Sequence, residues 1–89
     1  MTGTLQVFKV HTTTQRPDDA GVGEFSEPHE AAVWYSRLMA EESRARSTAK
    51  PRGSTHTALV RRIGSGVSRC FRVKLDANLS LIEVVETDC

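Results

Sequence analysis

From residue 67 to residue 75 the chain alternates. Val67, Phe71, Val73 and Leu75 are apolar, and Ser68, Cys70, Arg72 and Lys74 fall between them. A period of two sends one set to a packed face and the other to water, so this run predicts a strand. Arg69 interrupts the apolar series and is expected near the sheet margin. The runs Thr55–Ile63 and Leu79–Glu86 on either side are also strand-like. Gly64-Ser65-Gly66 and Asp76-Ala77-Asn78 join the three, and both connections are short and built from residues that tolerate hairpin turns. Antiparallel neighbours in a meander are expected. Thr4–His11 is rich in β-branched and aromatic residues and reads as a first strand. Val7 and Phe8 are adjacent and break its alternation, which suits a strand covered on both faces or one carrying a bulge.

Between the first strand and the meander the period changes. Ala31, Trp34, Tyr35 and Leu38 fall at i, i+3, i+4 and i+7, with Met39 widening the stripe, and this predicts an amphipathic helix from about Glu27 to Arg46. Ser26 is the expected N-cap, Pro28 is tolerated in the first turn, and Glu27 and Glu30 suit the positive end of the helix dipole. Arg44 and Arg46 suit its negative end, and Pro51 and Gly53 prevent continuation. Residues 12–23, with Pro17, Asp18, Asp19 and two glycines, read as a flexible loop. Residues 47–54 read as a basic connector. The expectation is an α+β fold of order β-α-β-β-β: an antiparallel β-meander sheet with one amphipathic helix packed on one face. The first strand must pair with the meander or be left marginal.

Length sets the scale of this fold. At 89 residues one domain, 1–89, is expected, with a thin core. The chain is 38% hydrophobic and 26% charged, which is ordinary globular composition. The longest apolar run, Ala31 to Tyr35, is far below the roughly 18 residues that would span a bilayer. No charged-then-apolar leader opens the sequence, so a cytoplasmic protein with no membrane association is expected. Cys70 and Cys89 are too few for a disulfide scaffold or a four-cysteine zinc site.

Charge changes the picture more than composition does. The net charge is only +1, yet Ser43 to Leu75 holds nine basic residues and no acid: Arg44, Arg46, Lys50, Arg52, Arg61, Arg62, Arg69, Arg72 and Lys74. All eleven acids lie elsewhere. A chain blocked this way can present a basic face. Arginine dominates the block, and its planar fork suits phosphate and carboxylate. Solvated strand and loop charges are the plain alternative. Arg61 and Arg62 on one strand of the hairpin are expected near Arg69 and Arg72 on the next, where facing like charges are destabilising unless solvent or a partner relieves them. These nine residues are the candidate binding site.

Other chemistry finds little support. His11, His29 and His56 lack metal-ligand neighbours at the spacings zinc motifs use, so surface or capping roles are expected and no metal or cofactor is implied. Cys70 reads as a small, half-buried strand residue, and Cys89 stands at a poor position for the fixed base that nucleophilic catalysis needs. Ile63-Gly64-Ser65-Gly66-Val67-Ser68 lacks the ending and the following helix of a phosphate-binding P-loop and reads as a turn. Asp18-Asp19 and Glu41-Glu42 read as solvated charges, so no hydrolase is implied. Trp34 and Tyr35 belong to the helix stripe and read as core, which leaves few aromatics for base stacking.

Through Gly23-Glu24-Phe25-Ser26-Glu27-Pro28-His29-Glu30-Ala31-Ala32, following Val7-Phe8-Lys9-Val10, about the first half of the chain resembles small phage and mobile-element accessory proteins. That resemblance implies a small intracellular protein that meets a host factor, and it carries over no catalytic residues. The order strand, helix, three-strand meander also resembles RelE/ParE-type toxins, whose ribonuclease members use basic and polar residues on the sheet. Arg61, Arg62, Arg69 and Arg72 are the comparable groups. This chain differs in having one helix before the meander and no tyrosine or histidine near its C-terminus. The leading expectation is a non-enzymatic binding module that engages an anionic partner, nucleic acid or acidic protein, through the arginine-bearing hairpin. A ribosome-dependent RNase toxin and a self-associating protein, a homodimer through its acidic and basic segments, are the other two readings.

Overall fold

The computed structural model describes residues 5–12, 21–48, 50 and 52–89. Among these residues five antiparallel strands form one sheet, and a single helix crosses one of its faces. The strands are β1 (Gln6–Thr12), β2 (Gly21–Phe25), β3 (Ser54–Arg62), β4 (Ser68–Leu75) and β5 (Leu81–Thr87), and the helix α1 (Pro28–Arg46) follows β2. Across the sheet the order is β2-β1-β3-β4-β5. The fold is α+β, and the three-strand meander stands as the alternation predicts. The first strand pairs with it through β3, matching Val10 with Val60 and Phe8 with Arg62.

One element is added. The chain runs β-β-α-β-β-β because Gly21–Phe25, the tail of the expected loop and the approach to the helix, is a strand paired along β1. Its glycines are there for space. A Cβ on Gly21 would lie 2.9 Å from ring carbons of Tyr35 and 3.1 Å from Trp34, and one on Gly23 would lie 2.8 Å from the Phe25 ring. The rings of α1 rest on the backbone of β2, which glycine permits. The rest of that loop, residues 13–20, lies outside the described residues.

The helix begins one residue later than its cap signal suggests. Glu27, not Ser26, is the N-cap, with φ −139° and ψ 152° and no side-chain cap hydrogen bond. Pro28 is the reason, since a proline pushes the preceding residue out of the α region. The Ser26 hydroxyl donates to the Glu30 carboxylate instead. At the other end Ser47 N–H donates to Arg44 O (3.2 Å) and closes the last turn.

The buried stripe of α1 is also rotated from the expected one. Ala31, Ala32, Tyr35, Ser36 and Ala40 are buried, while Leu38 is 37% exposed and Trp34 is half-buried. Small residues let the helix lie close to the sheet, where Phe8, Val10, Ala58, Val60, Phe71, Val73 and Leu75 complete the core. Each large side chain so buried contributes about 1.5–3 kcal/mol. β1 is covered on this face only: Phe8 and Val10 are buried and Val7 is exposed. The irregularity is found between β4 and β5, at Lys74/Leu75.

The turn between β4 and β5 is held from inside and from the helix. Asp76 Oδ1 accepts the N–H groups of Asn78 (2.8 Å) and Ser80 (2.9 Å). Leu79 takes φ +66°, an unusual conformation for a branched side chain. Packing of its side chain on the core and a hydrogen bond from Arg37 Nε to Leu79 O (3.1 Å) stabilise it there. Two turns further along the same helix face than Arg37, Arg44 donates to Ala77 O.

Candidate functional site: two separate basic surfaces

Register assigns each basic residue to a face. Residues opposite one another in an antiparallel sheet point the same way, and neighbours along a strand alternate. Phe71, Val73 and Leu75 face α1, so Arg72 and Lys74 face the uncovered side. Arg72 lies opposite Thr57 and Val85, and Lys74 opposite Thr55 and Glu83. Arg61 lies opposite Ser68 on one side and Lys9 on the other. Lys9 lies opposite Val22. The uncovered face therefore carries Lys9, Arg61, Arg72 and Lys74, with Val7, Leu59, Val22 and Val85 between them and Glu24 and Glu83 toward its two edges. None of the four cations makes an ion pair with a described residue.

Arg62 and Arg69 belong to the other side. Arg62 shares the row of Phe8 at the end of β3. Arg69, opposite Val60, reaches along the helix side to the edge strand. There it forms a two-pronged pair with Glu86, Nε to Oε2 at 2.9 Å and Nη2 to Oε1 at 2.6 Å, while its guanidinium sits 5.7 Å from the Phe71 ring centroid. The hydrogen bond and the charge of Glu86 raise the Arg69 pKa, and the hydrogen bond from Arg69 lowers that of Glu86. Arg69 itself lies on β4, one strand in from the edge, and its charge is already answered by Glu86 on the edge strand. Arg61 and Arg62 do not stand against Arg69 and Arg72. The like pair that does face across a ladder is Lys9 with Arg61.

Three of the remaining four cations gather at the end of α1. Arg44, Lys50 and Arg52 line a cavity of about 370 Å³ together with Ser54 and His56. Ser54 Oγ and His56 Nε2 are hydrogen-bonded at 2.9 Å, and partial burial lowers the His56 pKa. Gly53 lets the connector approach β4, since a Cβ there would lie 2.9 Å from Leu75 O. Arg46 stands apart, exposed one turn from Glu42.

The cysteines are paired. Cys70 and Cys89 form a disulfide with Cα atoms 5.3 Å apart, closing a sequence separation of 19 residues, and Cys70 is buried on the otherwise uncovered face. This corrects the reading of Cys70 as a half-buried strand residue: it is fully buried and covalently paired. Cys70 lies opposite Thr87, so Cys89, two residues on, shares its face. The signal was this register, which only the meander supplies.

Glu27, His29 and Glu30 bring ligand atoms within 4.8 Å of one another at the start of α1. His29 Nδ1 is 3.1 Å from Glu27 Oε2, and Glu30 already accepts from Ser26. They read as first-turn charges. Among the described residues no helix is long and apolar enough to cross a membrane. The chain matches no family model, no curated protein and no solved structure.

Proposed function

We propose that the protein is a non-enzymatic binding module that engages an acidic protein surface through the uncovered face of its sheet. The observation that supports this most is Lys9 directly opposite Arg61, with Val22 and Ser68 completing the row and no acid in it. Like charges in facing positions cost stability, and an anionic partner removes that cost. Arg72, flanked by Thr57 and Val85, extends the same surface.

A protein is favoured over nucleic acid by what lies between the cations. Val22 is 58% and Val85 47% exposed there, and desolvating such groups rewards a protein partner. The aromatic rings Phe8, Phe25, Trp34, Tyr35 and Phe71 pack on the helix side, so bases find no stacking platform. The disulfide favours an oxidising setting over the cytoplasm expected from the sequence. Thiol labelling of protein taken directly from cells decides between them: labelled Cys70 and Cys89 place it in the cytoplasm.

Affinity capture from a lysate, with and without nuclease, tests the reading against Arg61→Glu with Arg72→Glu. The expected result is an acidic protein recovered regardless of nuclease, released by salt and lost in the double variant. Recovery that nuclease abolishes assigns the face to nucleic acid. Recovery unchanged in the double variant overturns the proposal.

A further inference from the structure

We infer that the cavity at the end of α1 is a binding site for a small organic phosphate monoester, separate from the uncovered sheet face. The first argument is charge. Arg44, Lys50 and Arg52 line this space, and among the described residues no acidic one does. Three cations that converge on one concavity repel one another, and a doubly charged anion reverses the sign of that interaction. Ser43 and Ser54 also line it, and their hydroxyls add neutral donors suited to the oxygens of a phosphate.

The second argument is order. Arg44, which lines the cavity, is not a free surface chain: its guanidinium donates through Nη2 to Ala77 O in the turn between β4 and β5. His56 is oriented by Ser54. Groups fixed before the ligand arrives lose less freedom on binding. The C-terminal carbonyls of α1 oppose an anion here, but Ser47 N–H already caps Arg44 O and the basic side chains outnumber that partial charge.

The third argument is shape. Ala40 and Leu79 supply a small apolar wall beside the cationic one. At about 370 Å³ the cavity holds more than a bare phosphate and falls at the lower end of small-ligand sites. A phosphate among Arg44, Lys50 and Arg52, with its carbon part against Leu79, matches both walls. This site uses none of the residues of the sheet face, so the two readings stand or fall apart.

A two-dimensional NMR titration of the oxidised chain tests it, with inorganic phosphate and glucose 6-phosphate as probes and sodium chloride and glucose as controls at matched ionic strength. Saturable shifts confined to residues 40–56 and Leu79 are expected, with the sugar phosphate binding more tightly than phosphate alone. Lys50→Ala with Arg52→Ala, both on the exposed connector, lowers the affinity by at least about tenfold, as loss of charged hydrogen bonds requires. Arg72→Glu leaves it unchanged. Shifts that follow chloride equally, that centre on Lys9, Arg61 and Arg72, or that persist in the double alanine variant overturn the inference.

Discussion

At the scale of single residues, the clearest mismatch in the fold is Ser36. It is buried against the sheet, and its hydroxyl has no hydrogen-bond partner among the described residues. A buried polar group without a partner costs about 1–3 kcal/mol, and alanine is also the better helix former. Ser36→Ala is therefore expected to stabilise the protein by about 1 kcal/mol, read as a higher urea midpoint at unchanged slope. Two described groups contribute to the pH dependence of stability on the acid side. The folded state holds His56 below its ordinary pKa, so the unfolded chain takes up its proton first and stability falls as pH drops below about 6.5. Glu86 is likewise held low by Arg69, and its contribution, present above the ordinary carboxylate range, is lost as pH falls through the lowered value. Urea midpoints measured from pH 8 to pH 3 should show both losses, and Glu86→Gln should remove the second while lowering the plateau.

At the scale of elements, the meander and the helix were legible because their periods are strong and their turn residues chemically plain. Val73 and Leu75 alternate with Arg72 and Lys74 in the sequence and in space alike. β2 was not legible. Gly-Val-Gly carries the vocabulary of a turn, and the reason for its glycines, the approach of Tyr35 and Trp34, is a tertiary fact. The helix stripe went astray for a related cause: Leu38 is the more hydrophobic residue, but Ala32, Ser36 and Ala40 permit the closer contact. Gly21→Val puts a branched side chain where Tyr35 already sits and should destabilise by about 1–3 kcal/mol, the usual cost of overpacking. Thermal unfolding followed by circular dichroism checks it, and Val22→Thr on the opposite face of the strand should be close to neutral. The charge segregation was visible as a block, but alternation divides it. Residues 61, 72 and 74 share one face, 62 and 69 the other, and the connector carries its own group.

At the scale of the whole molecule, the disulfide and the uneven sheet matter most. Closing a loop of this length restricts the unfolded chain by roughly 3 kcal/mol, a large share of the stability of a domain with so thin a core. Reduction, or Cys89→Ser, should lower the melting temperature by many degrees while leaving the far-ultraviolet spectrum folded at low temperature. The two faces of the sheet differ in kind: one holds the rings and the helix, the other cations and valines. The chain has a single tryptophan, Trp34, 5.4 Å from Phe25 and 6.0 Å from Tyr35 by ring centroids. Its indole emission is thus a one-sided reporter: it brightens or shifts when β2 peels from the helix, and it stays dark to anything that settles on the arginine side.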